Sequence, residues 1–214
     1  MQFVSRFHYI TQDLENFSHS QLAEFACKGG ADWVQLRVKI KLYDEWEKIA
    51  VETKKVCQKY SAKLIVNDNV LIAKEISADG VHLGKEDIGI REARKILGDN
   101  FIIGGTANTM EDVRLLMRNG VDYIGIGPYC FTKTKKNLNP VLGLEGIRKI
   151  AEQFGNKIPI IAIGGIKLED VESLMQTGIH GVAVSSAINF AEDKVEMTKK
   201  FLSEVKIQSS KILL

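Results

Sequence analysis

Ile161-Ala-Ile-Gly-Gly-Ile166 and Val182-Ala-Val-Ser-Ser-Ala-Ile188 are short hydrophobic runs that close on glycines or small hydroxyl residues. Such a junction lets a ligand phosphate approach backbone N–H groups and the positive end of a following helix. A third run in the same region is followed by a Lys/Thr-rich loop, Cys130 to Asn139. Together these stretches predict a site for a small phosphorylated molecule at the ends of strands.

The same unit recurs upstream. Apolar runs rich in β-branched residues lie at 7–11, 33–38, 63–67, 80–83, 101–104, 122–126, 158–163 and 181–185. Segments of helical periodicity separate many of them, at 21–27, 44–60, 90–97, 110–119, 144–154, 168–177 and 194–205. The strand runs are mostly continuous rather than alternating, as expected when both faces are covered. Eight repeats of about 25 residues predict an α/β fold, a (βα)8 TIM barrel, with a doubly wound open sheet as the alternative. Gly29-Gly30 and Gly120 suit left-handed helix C-caps, and Thr109, ahead of Glu111 and Asp112, suits an N-cap.

Length and composition agree with one domain spanning 1–214. At 214 residues and 45% hydrophobic residues the chain can bury a large core, and its three prolines and dispersed charges mark no linker. A net charge of +2 without aromatic–basic interleaving speaks against nucleic acid as a partner. With no signal-like N-terminal segment and no apolar run long enough to cross a bilayer, the expectation is a cytoplasmic protein without a membrane partner. Cys27, Cys57 and Cys130 fall in no metal-ligand spacing. Oligomeric state is left open, a homo-oligomer included.

In a TIM barrel, chemistry is assembled at the C-terminal strand ends, with phosphate commonly held after strands seven and eight. Gly164-Gly165 and Ser185-Ser186 fall there. Asp68 and Asp87 follow the third and fourth runs, so two carboxylates can converge from neighbouring loops. That donor set suits Mg²⁺, which keeps water and substrate oxygens as its other ligands; the competing reading is that each Asp caps a helix. Gln35, Arg37 and Lys39 share one face at period two, where Arg offers a bidentate contact to phosphate and Lys a point charge. Asn67 adjoins the first Asp. Thr106 and Asn108 can hydrogen-bond a heterocycle or a departing phosphate, or make a turn. Thr132, Thr134 and Lys135 would bring hydroxyls and a cation over the barrel mouth. His8, His19, His82 and His180 form no pair poised as a base, and His82 reads as a satisfied core or rim residue. The site is therefore expected to be electrophilic rather than basic.

These motifs resemble the thiamine phosphate synthase family. The resemblance runs in order from Val-Gln-Leu-Arg-x-Lys (34–39) through Val-Asn-Asp (66–68), Ala-Asp-Gly-Val-His-Leu-Gly-Lys-Glu-Asp (78–87), Asp-Tyr-Ile-Gly-Ile-Gly-Pro (122–128), Thr-x-Thr-Lys (132–135) and Gly-Leu-Glu-Gly-Ile (143–147). It ends with Ala-Ile-Gly-Gly-Ile (162–166) and Val-Ser-Ser-Ala-Ile (184–188). It implies a barrel enzyme that joins 4-amino-5-hydroxymethyl-2-methylpyrimidine diphosphate to a 4-methyl-5-(2-phosphoethyl)thiazole, or its carboxylated tautomer, giving thiamine phosphate and pyrophosphate by a dissociative displacement. Asp68 and Asp87 would be the Mg²⁺ ligands. Gln35, Arg37, Lys39, Asn67, Thr106 and Lys135 would hold the pyrimidine diphosphate, with Lys135, Arg37 and Thr106 acting on the departing group; Asn108 is a substrate-binding candidate from its position alone. Thr132, Thr134, Gly164, Gly165, Ser185 and Ser186 would hold the thiazole phosphate.

The chain departs from the family pattern at Val38, Asn69, Asn108 and Phe131. Two rivals share the phosphate cradle: a thiazole tautomerase-like isomerase, which would want a proton-transferring His where Asn108 stands, and a non-catalytic thiazole-phosphate-binding barrel, which would need no metal.

Overall fold

Eight parallel strands close on themselves in sequence order. The computed structural model describes residues 2–39, 41–131 and 140–212; Thr132, Thr134 and Lys135 lie outside the described residues. The strands are β1 (Phe7–Ile10), β2 (Trp33–Leu36), β3 (Lys63–Asn67), β4 (Gly80–Leu83), β5 (Ile102–Ala107), β6 (Tyr123–Ile126), β7 (Ile160–Ile163) and β8 (Gly181–Val184). Closure is made by β1 against β8, with Phe7, His8 and Tyr9 opposite Val182, Ala183 and Val184. The open sheet is thereby excluded.

The helices are α1 (His19–Lys28), α2 (Tyr43–Lys59), α3 (Val70–Glu75), α4 (Ile90–Leu97), α5 (Met110–Arg118), α6 (Gly143–Phe154), α7 (Val171–Met175), α8 (Ser186–Asn189) and α9 (Lys194–Ile212). Thr109 caps α5 as its sequence position suggests, in a reciprocal capping box with Asp112. Left-handed residues end α1 and α5 at Gly30 and Gly120. The sequence periodicity does not reveal α3, because six residues are under two turns; its start is set locally by Asn69, whose side chain accepts from the Ile72 N–H at 3.0 Å. The helical pattern at 168–177 opens as a 3₁₀ turn, Leu168–Asp170.

Burial divides into two layers. Between strands and helices lies a continuous aliphatic core that includes Leu22, Leu36, Leu64, Ile72, Ile124, Ile147 and Leu174. Inside the barrel a smaller cluster holds Ile10, Trp33, Ile65, Ile102, Tyr123, Ile161 and Ala183. Alternate residues of each strand point inward. Towards the C-terminal rim the inward positions turn polar: Gln35, Asn67 and His82 are buried there and Thr106 half-buried. Gly104 makes room for one large ring, since a Cβ at that position would overlap the Tyr123 side chain.

Candidate active site

The run at 33–38 leaves the sheet early. β2 stops at Leu36, and the next segment is held by side chains of the loop after β1 instead: Arg37 N–H donates to Thr11 Oγ1 at 3.1 Å, and Lys39 N–H to Asp13 Oδ2 at 3.1 Å. His19, at the start of α1, braces both acceptors, with Nδ1 2.8 Å from Thr11 Oγ1 and Nε2 3.2 Å from Asp13 Oδ1. Burial lowers the pKa of His19, and Asp13 opposes that shift. Arg37 is half-buried; burial pulls its pKa below the usual guanidinium range while Asp68 and then Asp13 hold it up. The backbone turn thus delivers a partly desolvated guanidinium within electrostatic reach of Asp68, where attraction between charges is stronger than in open water.

Asp68 occupies an unusual backbone position. Its φ is +66°, and the Asn69 N–H donates to Asn67 O at 2.8 Å, closing a three-residue turn around it. A left-handed conformation at a non-glycine residue of such a turn costs on the order of 1–3 kcal/mol and concentrates at functional positions. Its own N–H donates to His82 O at 2.9 Å, tying the turn to β4. The side chain is exposed at the rim. On the neighbouring loop Asp87 is half-buried, and its Oδ2 accepts from the Gly84 N–H at 2.6 Å. Neither Asp caps a helix: Asn69 and Gly89 occupy the N-cap positions of α3 and α4. The loop bearing Asp87 is held to α5 by an ion pair between Lys85 Nζ and Asp112 Oδ2 at 2.6 Å.

Below this rim runs a polar column. The His82 ring places Nε2 2.9 Å from Thr106 Oγ1 and Nδ1 3.0 Å from the Tyr123 hydroxyl. The Gln35 side chain neighbours the same phenol. Burial pushes the Tyr123 phenol well above its usual range, and the neighbouring Gln35 side chain opposes that rise. His82 accordingly reads as a satisfied rim residue, as its sequence setting suggests. Asn108 is engaged in holding strand ends together. Its side-chain amide donates to Gly127 O, and its N–H donates to Asp112 Oδ2 at 2.9 Å.

Across the mouth, the ends of β6, β7 and β8 are built from backbone. Tyr129 N–H donates to Ile163 O and Cys130 N–H to Gly164 O, both at 2.9 Å. The segment 128–130 therefore lies directly over Gly164 (φ +101°) and Gly165 (φ +72°), and a Cβ on Gly164 would meet Pro128 Cα at 2.8 Å. These glycines are required by that close approach as well as by any phosphate. Ser185 precedes α8, and its hydroxyl donates to Gln12 Oε1 at 3.1 Å while accepting from Asn189 Nδ2 at 3.0 Å. Ser186 Oγ lies 3.5 Å from the same Gln12 oxygen. Thr11, Gln12, Asp13 and Tyr123 escape a sequence reading. The first three follow β1 with no glycine or charge cluster to mark them, and Tyr123 reads as an ordinary strand aromatic.

A family model described as thiamine monophosphate synthase matches residues 7–188. The chain belongs to this family. A thiamine-phosphate synthase from Bacteroides fragilis is 51% identical over 198 residues, covering 91% of this chain and 97% of that protein. One from Bacillus cereus is 41% identical, with 92% of each chain covered. The solved thiamine phosphate pyrophosphorylase from Pyrococcus furiosus superposes with a TM-score of 0.86 at 34% identity, covering 95% of this chain and 96% of that one. Membership makes the chain an enzyme, a transferase with thiamine-phosphate synthase activity and the barrel of its family.

Proposed function

We propose that the mouth binds the two substrates on opposite sides: a pyrimidine diphosphate over β2 to β5 and a thiazole phosphate over β6 to β8. The observation that carries this division is the set of charged residues Arg37, Asp68 and Asp87 after β2, β3 and β4 on one side of a rim whose other side is the Gly164–Gly165 and Ser185 backbone. The first side offers charge to a diphosphate. The second offers N–H groups and hydroxyls to a phosphate monoester.

The donors on the diphosphate side fit Mg²⁺. Asp68 and Asp87 are hard oxygen donors on the loops after adjacent strands, whose ends are in register with Asn67 opposite His82. The Gly84 N–H donates to Asp87 Oδ2 and holds the carboxylate on its loop, leaving it free lone pairs with which it would hold a cation. Two carboxylates leave the remaining positions to water and diphosphate oxygens, the usual arrangement for this ion. Mg²⁺ held there would supply positive charge against a departing pyrophosphate.

The chain's own residues do the rest in this reading. Arg37, Lys39 and Lys135 take up the charge that develops on the leaving oxygens, and Asn67 and Thr106 hydrogen-bond the diphosphate. Gln35 reads the edge of the aminopyrimidine, which stabilises the cation left when the C–O bond breaks. Gly164, Gly165, Ser185 and Ser186, together with Thr132 and Thr134, hold the thiazole phosphate so that the ring nitrogen faces that cation. No side chain has to remove a proton. Asn108, locked on Gly127 O, supports the rim below the diphosphate. A cytoplasmic location is the matching expectation; among the described residues no helix is long and apolar enough to cross a membrane.

Incubating the purified protein with both substrates, with Mg²⁺ or with EDTA, and following thiamine phosphate by mass spectrometry tests the proposal. Product that depends on Mg²⁺ is expected. Undiminished product in EDTA would remove the metal from the mechanism, and thiazole phosphate binding without any product would favour a binding-only barrel.

A further inference from the structure

The pairing of β2 with β1 ends at Gln35 and its pairing with β3 at Leu36. Beyond these points the Arg37 and Lys39 N–H groups donate to side chains, Thr11 Oγ1 and Asp13 Oδ2, each at 3.1 Å. Donors and acceptors are both two residues apart. Thr11 and Asp13 thus extend, with side-chain oxygens, the evenly spaced ladder that β1 would otherwise offer with carbonyls.

One ring sets that spacing. His19 places Nδ1 2.8 Å from Thr11 Oγ1 and Nε2 3.2 Å from Asp13 Oδ1, so each acceptor sits between a peptide N–H and an imidazole nitrogen. Thr11 is 0% exposed and His19 6%. A carboxylate only accepts, so Nε2 carries hydrogen; in the neutral ring Nδ1 then accepts from the Thr11 O–H, and the Thr11 oxygen is left to receive the Arg37 N–H. Burial favours that neutral ring. The ring is anchored from behind as well. His19 is the first residue of α1 and follows Ser18, whose capping box with Gln21 sets the helix start.

Arg and Lys give up much rotamer freedom when they close on an anion, and the cost is smaller when the backbone that carries them is already in place. We propose that His19 is a positioning residue for the pyrimidine diphosphate: through Thr11 and Asp13 it holds the 37–39 backbone so that Arg37 and Lys39 meet that substrate together. This rests on the substrate division above. Gln12, between the two acceptors, reaches the opposite neighbour of β1, where Ser185 Oγ donates to it at 3.1 Å. General loosening of the 11–13 loop would therefore disturb both sides of the mouth, whereas loss of the imidazole clamp acts on the β2 side alone.

The test combines steady-state kinetics of His19→Phe, which fills the place of the ring and removes both nitrogens, with amide hydrogen exchange of the substrate-free protein. KM for the pyrimidine diphosphate should rise roughly tenfold, the scale of losing one or two hydrogen bonds, with KM for the thiazole phosphate unchanged. The Arg37 and Lys39 amides should exchange faster, while the Thr11 N–H, which donates to Gln35 O at 3.0 Å inside the sheet, keeps its wild-type rate. Equal changes in the two KM values overturn the proposal, as do 37 and 39 amides that exchange as in the wild type. Should His19→Phe not fold, Thr11→Val, which removes the oxygen that receives the Arg37 N–H and keeps the branched shape, carries the same expectations for KM and for the Arg37 amide, and the same refutation. Arg37→Lys measured alongside separates the two readings: unchanged pyrimidine diphosphate kinetics there would remove the substrate division, whereas a loss there with none in His19→Phe overturns only the role of His19.

Discussion

The two sides of the barrel mouth are made of different materials. Over β2 to β4 the rim is side-chain chemistry: a half-buried Arg37, a strained Asp68 and an Asp87 fastened to its own loop. Over β7 and β8 it is backbone: two left-handed glycines under the 128–130 segment, and hydroxyls resting on Gln12. A charged diphosphate and a cation demand formal charges that can be desolvated selectively, whereas a phosphate monoester is satisfied by N–H groups that any sequence supplies if the chain comes close enough. Substitutions on the first side should therefore act on turnover, and those on the second on affinity and folding.

The hardest test of this contrast is Asp68→Ala beside Asp87→Asn. The second variant keeps an acceptor for the Gly84 N–H and loses only charge. Each should lower kcat by roughly 10²–10³-fold, the scale of losing transition-state charge stabilisation, with an unchanged thermal unfolding midpoint. Near-wild-type turnover in either would remove the carboxylate pair from the metal. Lys135→Ala asks which side the 132–135 segment serves. A drop of about 10²-fold in kcat with little change in thiazole phosphate KM would place it with the charged half; the reverse pattern would move it across the mouth.

Arg37→Lys retains charge but loses the planar fork. About 10-fold or more should be lost in kcat/KM for the pyrimidine diphosphate, and titration of thiazole phosphate binding should show no shift. Gly164→Ala probes the other half. The new Cβ has to displace backbone at Pro128 and adopt positive φ, so denaturant unfolding should report a loss of about 1–3 kcal/mol, together with weaker thiazole phosphate binding. A stable variant would mean that the 128–130 segment yields easily. The smallest effect is expected for Ser185→Ala, a severalfold rise in thiazole phosphate KM from one hydrogen bond of about 1 kcal/mol, measured against an unchanged pyrimidine diphosphate KM.

Strand positions were legible to within a few residues because buried parallel strands carry runs of β-branched residues. Ile90–Leu97 was legible as a helix because its apolar face repeats at helical spacing. Val70–Glu75 was too short to show a period. The Gly-Gly and Ser-Ser pairs stood out as small residues at strand ends, but gave no sign that Gly164 must also clear Pro128. Asp68 and Asp87 were visible as acids after strands. The alternative that they cap helices could be set aside only once Asn69 and Gly89 were seen in those places.

Eight strand–helix repeats and membership of the family were readable in the amino-acid order alone, since these follow from periodicity and from short motifs in a set order. How the rim is supported emerges only in three dimensions. Thr11 and Asp13 stand in for the sheet under Arg37 and Lys39. Gln12 receives the hydroxyls of Ser185 and Ser186 from the far end of the chain. Tyr123, from β6, bonds His82 of β4 across the barrel interior. Gln12 meets the two serines because barrel closure pairs β1 with β8, joining the two ends of the chain in a way that no local pattern of residues encodes.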